Sequence, residues 1–148
     1  MIDLAEYLKP DRMIAPAPAA RDVIVRALLG ICLRDAAGVS ESTRAAVLDG
    51  AHRMKDQALD RGFALTHSRI AEGEEILLSV GLFGEPRPFG RCGAVHTIFC
   101  ALIPESRSRD YLSLLARLSR LLTAPGAEAA FRSGAPETVG RFVREFHT

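Results

Sequence analysis

Of the four histidines in this chain, His67 has the neighbours best suited to nucleophilic chemistry. It stands in "FALTHSRI", after a short apolar run and directly before a serine and an arginine. Neutral imidazole is a competent nucleophile towards phosphorus. Arg69, two residues on, falls on the same side of an extended chain, where a guanidinium offsets phosphate charge. The apolar run predicts a strand ending at His67, so that the side chain reaches solvent where the chain leaves the sheet. One histidine beside one arginine is equally the pattern of a solvated or core histidine, and the local residues leave both readings open.

His96, in "AVHTIFC", points to the opposite face of a predicted strand from Val95 and Thr97, and approaches His67 only if the two strands are adjacent. A half-buried strand histidine bonded to backbone would look the same. His52 falls on a predicted helix and His147 at the chain end. No pair shows HxxxH or HExxH spacing, so no metal is expected. Cys32, Cys92 and Cys100 are odd in number, lack CxxC spacing and lie in apolar stretches, which fits small hydrophobes in a reducing cytoplasm. Glu72, Glu74 and Glu75 in "EGEE" read as a charged turn between strands rather than paired catalytic carboxylates. GxSxG, Walker A and GxGxxG patterns are absent, which removes those hydrolase and nucleotide-binding classes.

Lys and Arg total 19 against 18 Asp and Glu, so no overall field draws in nucleic acid or anionic lipid. Asp3, Glu6 and Lys9 charge the N-terminal segment, and no apolar run reaches the about 18 residues of a membrane helix. The expectation is one unexported, cytoplasmic domain over residues 1–148 without membrane insertion.

The elements that must position His67 follow from periodicity. A short strand is predicted at "RMIA", then prolines in "PAPAA", then a helix over "RDVIVRALLGICLRDA" with Val23, Ala27, Leu28, Ile31 and Cys32 at helical spacing. Ser40 is the expected N-cap of a second helix, with Glu41 in its first turn, running through "HRMKDQ". "FALTH", "ILLSVGLF" and "AVHTIFCALI" predict strands, with Leu65, Val80, Ile98, Phe99 and Leu102 in the sheet core. "SRDYLSLLARLSRLL" returns to helical spacing behind a cap at Ser106 or Ser108. "GAEAAFRSG" and "PETVGRFVREF" end the chain, the latter with Pro136 at a helix start. Two helices, three or four strands and three helices predict an α/β fold, a mixed sheet with helices packed on it.

The order of these features resembles the fructose/mannitol-type IIA domain of the bacterial phosphoenolpyruvate-dependent phosphotransferase system, including its nitrogen-regulatory branch. The residues that carry the resemblance are the lead "LAEYLKPDRMI", the "ALTHSR" motif, "SVGLF", "EPRPF", "VHTIFCALIP" and "YLSLLARLSRLL", in register over most of the chain. The resemblance implies the IIA fold, with a mixed sheet flanked by helices on both faces. It implies that His67 accepts a phosphoryl group from an HPr-type phosphocarrier, without metal or cofactor, and passes it to a IIB domain or signals to a regulatory target. Three departures stand out: Thr66 replaces the proline before the histidine, Tyr111 replaces a second histidine that assists at the phosphate, and Arg53 matches a family arginine only through a small deletion. Arg69, Arg53, Tyr111 and His96 are then the candidates for stabilising the phosphoryl group. Fewer cationic donors imply slower transfer, which suits a regulatory role over sugar transport. The alternative is a binding or sensor module that keeps the IIA scaffold without phosphorylation. The residues do not decide between a monomer and a homodimer.

Overall fold

The computed structural model describes residues 2–34 and 36–146, so His147 lies outside the described residues. Two short helical turns, Leu4–Glu6 and Pro10–Arg12, lead into the strand β1 (Met13–Ile14), and the prolines beyond keep the chain irregular until α1 (Arg21–Arg34). α1 buries Ile24, Val25, Leu28, Leu29, Cys32 and Leu33, the spacing of one helical face. Ser40 caps α2 (Glu41–Asp49), its hydroxyl accepting from the Thr43 amide at 3.3 Å.

The helix expected to run through "HRMKDQ" instead stops at Asp49. A turn at Ala51–Arg53 follows, and then a strand that the sequence pattern does not announce, β2 (Asp56–Ala58). Arg21 supplies the reason. Its guanidinium donates to the carbonyls of Ala51 and Met54, each at 2.7 Å, and to the Asp56 carboxylate at 2.7–3.3 Å. Those contacts hold the chain in the turn and along its exit, where the Ala51 carbonyl also accepts from the Met54 amide at 3.3 Å. The Arg21 and Asp56 side chains are 14% and 9% exposed, so this is a nearly buried pair that fixes where β2 begins. Gly90 makes room for it: at φ 52°, a Cβ there would stand 2.6 Å from Asp56 Oδ2.

The three apolar runs become the long strands β3 (Phe63–Ile70), β4 (Leu77–Pro88) and β5 (Ala94–Pro104). β4 passes an irregularity between Leu82 and Arg87 and takes in most of the "EPRPF" stretch. The five-stranded sheet has the order β1-β4-β5-β3-β2. β1/β4 and β3/β5 are parallel, and β4/β5 and β2/β3 antiparallel. Three helices follow, α3 (Ser108–Thr123), α4 (Ala127–Arg132) and α5 (Pro136–Glu145), the last opening on Pro136 as expected. The cap of α3 differs from expectation: Arg107 holds the cap position without a side-chain cap bond, and Ser108 is already helical.

Alternation along the strands divides the core. Phe63, Leu65, Val80, Phe99, Ala101 and Ile103 pack with Leu114, Leu118, Leu121 and Phe131 from α3 and α4. Ala64, Leu77, Ile98, Cys100 and Leu102 pack with α1 and Val47 of α2. Leu65, Val80, Ile98, Phe99 and Leu102 are each no more than 2% exposed, as the apolar runs predicted.

Removing one partner of a nearly buried ion pair leaves an uncompensated charge. Arg21→Ala should therefore lower the unfolding free energy by about 3 kcal/mol, measured by urea denaturation. A loss below about 1 kcal/mol, the range of exposed pairs, would contradict the structural weight given to the Arg21–Asp56 contact.

Candidate functional site

His67 lies inside β3 rather than at its end. Ser68, Arg69 and Ile70 continue the pairing with β5, His67 itself standing opposite Ala101. What ends here is the neighbour: β2 pairs only with Ala64, Leu65 and Thr66. His67 is the first β3 residue beyond that pairing, which gives it the solvent access that the sequence attributed to a strand end. Thr66 is fully buried, and its hydroxyl donates to the Lys55 carbonyl at 3.4 Å, a bond that proline could not make.

Beyond β2 the sheet opens on a cleft of about 680 Å³. Its walls are Ser42, Thr43, Ala46, Val47 and Gly50 on the α2 side, then Arg53, Met54 and Lys55, and His67–Ile70 of β3. Arg53, Lys55 and Arg69 bring three cations to it, and no described lining residue is Asp or Glu. The far end is tied by Glu72, whose carboxylate accepts from the Ser40 hydroxyl at 2.7 Å and from the Thr43 hydroxyl, so the "EGEE" stretch is a structural turn. These hydrogen bonds, Thr43 first, hold the Glu72 pKa below the usual carboxylate value.

His67 is half-buried, and its Nδ1 is buried with no hydrogen-bond partner among the described residues. Nε2 is not among the buried unbonded atoms and is the ring nitrogen open to solvent. Burial, and then the charge of Arg69, push the imidazole pKa below its ordinary 6.5, so the ring is neutral at neutral pH. Arg69 is exposed but held: its Nη1 donates to the Ser108 hydroxyl at 2.6 Å, which donates in turn to the Glu105 carbonyl at 3.0 Å. Ser108 is a site residue that the sequence reading took only as a candidate cap. Lys55 had no signal at all, since its place follows from where β2 begins.

Tyr111, in the first turn of α3, is 3% exposed and packs against His67, with ring centroids 5.9 Å apart. Its hydroxyl is buried without a described partner, and burial pushes its pKa up to about 12. It is not part of the cleft wall. Arg53 shares the cleft with His67 and Arg69. His96 does not. Although β3 and β5 are adjacent, His96 is five positions along β5 from the partner of His67, roughly 16 Å at about 3.3 Å per residue. It is 2% exposed, bonded to Thr97 Oγ1 and the Arg61 carbonyl at 2.8 and 2.7 Å, and set edge-on to Phe63. This is a core histidine. His52 is exposed in the turn before β2. Among the described residues no group of three His, Cys, Asp or Glu could hold a metal ion, and no helix is long and apolar enough to cross a membrane.

The fold that carries this cleft has counterparts among solved structures. The nitrogen regulatory protein IIA-Ntr from Neisseria meningitidis matches with a TM-score of 0.75 at 18% identity, over 95% of this chain and 98% of that one. The chain has the phosphotransferase-system IIA fold. The mannitol-specific cryptic phosphotransferase enzyme IIA CmtB from Escherichia coli matches at 0.72 and 13% identity, over 98% and 100% of the two chains. IIA mannitol from Escherichia coli matches at 0.66 and 12%, over 90% and 96%. No family model and no curated protein matches the sequence. At these identities the IIA likeness is one of fold.

A ring whose charged form is disfavoured by burial and by Arg69 should titrate, by NMR, with a midpoint below 6.5. Arg69→Ala removes a repelling cation and should move that midpoint upward. A His67 midpoint at or above 6.5 in the wild type would contradict the half-buried, cation-flanked placement.

Proposed function

We propose that this IIA-fold protein is a phosphoacceptor, taking a phosphoryl group from an HPr-type phosphocarrier on His67 and acting in regulation rather than in sugar uptake. The supporting observation is the neutral imidazole of His67, with its Nε2 open to a cleft that carries Arg53, Lys55 and Arg69 and no described acid. The Nε2 lone pair forms the new bond to phosphorus while the bond from phosphorus to the donor atom breaks, and the proton stays on Nδ1 until the ring releases it. Catalysis of such a transfer is mostly alignment and neutralisation of the equatorial oxygens, which three cations around one nucleophile can supply.

The regulatory side of the reading rests on Tyr111. The resemblance puts an assisting histidine at this position, and a phenol that keeps its proton to about 12 brings no positive charge. Transfer is then slower than with a cationic assistant, which a signal tolerates better than a transport flux does. The phosphoryl group would pass to a IIB partner or be read, in place, by a target protein.

Incubation with phosphoenolpyruvate, enzyme I and HPr should add one acid-labile phosphoryl group by mass, and His67→Ala should abolish it. Arg53→Ala should slow the transfer by about a hundredfold to a thousandfold, the scale of losing one preorganised donor. Phosphorylation that survives His67→Ala would move the site elsewhere. A wild type that takes no phosphate from carriers of its own cell would favour the non-phosphorylated binding or sensor module.

A further inference from the structure

His67 and Tyr111 are neighbouring rings, their centroids 5.9 Å apart and their planes at 43°. Each carries a polar atom that is buried and unbonded among the described residues, Nδ1 on one and the hydroxyl on the other. Buried polar atoms in native proteins nearly always find a partner, so two orphans on adjacent rings call for a common cause. They do not bond to each other in the unphosphorylated protein.

We propose that the Tyr111 hydroxyl becomes the partner of His67 Nδ1 once Nε2 carries a phosphoryl group, and that this bond sets the lifetime of the phosphohistidine. The inference rests on the phosphoacceptor reading and adds the group that controls how long the phosphate is kept. Phosphorylation exchanges the role of Nδ1. Before transfer, a neutral ring with its lone pair on Nε2 holds its proton on Nδ1, which is a donor. After transfer and loss of that proton, Nε2 is bonded to phosphorus and Nδ1 carries a lone pair. A protonated hydroxyl can donate to that lone pair, which a carbonyl or carboxylate cannot do. Tyr111 keeps its proton throughout, with its pKa pushed up to about 12 by burial.

Loss of the phosphate depends on the same atom. Water attacks phosphorus, the P–Nε2 bond breaks and its electron pair returns to the ring, and the water gives up a proton as inorganic phosphate forms. The ring leaves as neutral imidazole only when Nδ1 is already protonated. A hydrogen bond donated by Tyr111 to the unprotonated Nδ1 opposes that protonation and so keeps the phosphate in place. The other groups around the ring are Arg69 on β3, Arg53 and Lys55 across the cleft, and the buried Cys100 thiol on β5, which acts on Tyr111. Burial and then Arg69 disfavour a charged ring, while Tyr111 brings the hydroxyl that can donate to Nδ1.

Phosphoramidate supplies the test without any carrier protein: Nε2 attacks its phosphorus, its P–N bond breaks and ammonia leaves. A failure of carrier-dependent transfer is thereby separated from a failure of this inference. Phosphate release from wild type and Tyr111→Phe is followed by phosphorus NMR across the histidine titration range, and nitrogen-15 shifts of His67 report whether Nδ1 is protonated. The phosphorylated Tyr111→Phe protein should lose phosphate roughly threefold to tenfold faster at neutral pH, the range for losing one hydrogen bond. Its Nδ1 should also protonate at higher pH than in the wild type. Equal lifetimes and equal nitrogen-15 titrations would overturn the proposal, as would failure of phosphoramidate to modify His67. Should Tyr111→Phe fold poorly, the wild type alone decides: a phosphohistidine whose Nδ1 shows the nitrogen-15 shift of an unbonded lone pair overturns it.

Discussion

The pairing of Arg21 with Asp56 decides where β2 begins, and therefore where β3 loses its second neighbour. Arg21 belongs to the first turn of α1, yet it gathers the Ala51 and Met54 carbonyls and the Asp56 carboxylate around one guanidinium. Were β2 to start one residue earlier, Lys55 would stand opposite His67 and strand would cover the imidazole's edge of the sheet. Because it starts at Asp56, the segment before it swings away as a wall that carries Arg53 and Lys55, and His67 looks across at it. One nearly buried ion pair thus sets both the end of the ladder and the opening of the cleft.

The local electrostatics contrast with those of the whole chain. The protein is close to neutral, but the cleft holds cations because nearby carboxylates are engaged elsewhere: Asp56 by Arg21, Glu72 by the hydroxyls that start α2, and Asp110 by Arg107 at 2.7 Å. That arrangement favours an anion in the cleft, while burial and then Arg69 disfavour a proton on His67. A nucleophilic nitrogen must be unprotonated, and the group it attacks is negative. On the proposed phosphoacceptor reading, Arg69 serves both needs.

How much of this was legible in the sequence depended on whether the signal was local. Strands β3, β4 and β5 were visible because their apolar runs are long and bounded by turn residues, and Pro136 marked the start of α5. β2 was not, because Asp56, Gln57 and Ala58 have neither alternation nor strand propensity, and the contact that makes them a strand comes from Arg21, 35 residues away. The cap expected at Ser108 missed its role, since a serine that begins a helix looks the same whether it caps an amide or holds Arg69. His96 was a candidate because its strand neighbours that of His67. The register that parts them is set by the whole β3/β5 ladder and is not written in either strand alone.

At identities of 12–18% the IIA fold fixes the scaffold and leaves the chemistry to the site, so the two sides of the His67 ring carry the functional argument. The Nε2 side is wet and cationic, and there Arg69 is already tethered to Ser108, so little ordering remains to be done when an anion arrives. The Nδ1 side is dry and holds Tyr111 in place of a charged assistant. A cationic group there would favour fast transfer in both directions, whereas a protonated phenol stabilises neither a charged ring nor a departing phosphate. On the proposed phosphoacceptor reading, preorganised cations would receive the phosphoryl group and the dry Nδ1 side would release it reluctantly, the kinetic asymmetry that a stored signal needs and a transport relay does not.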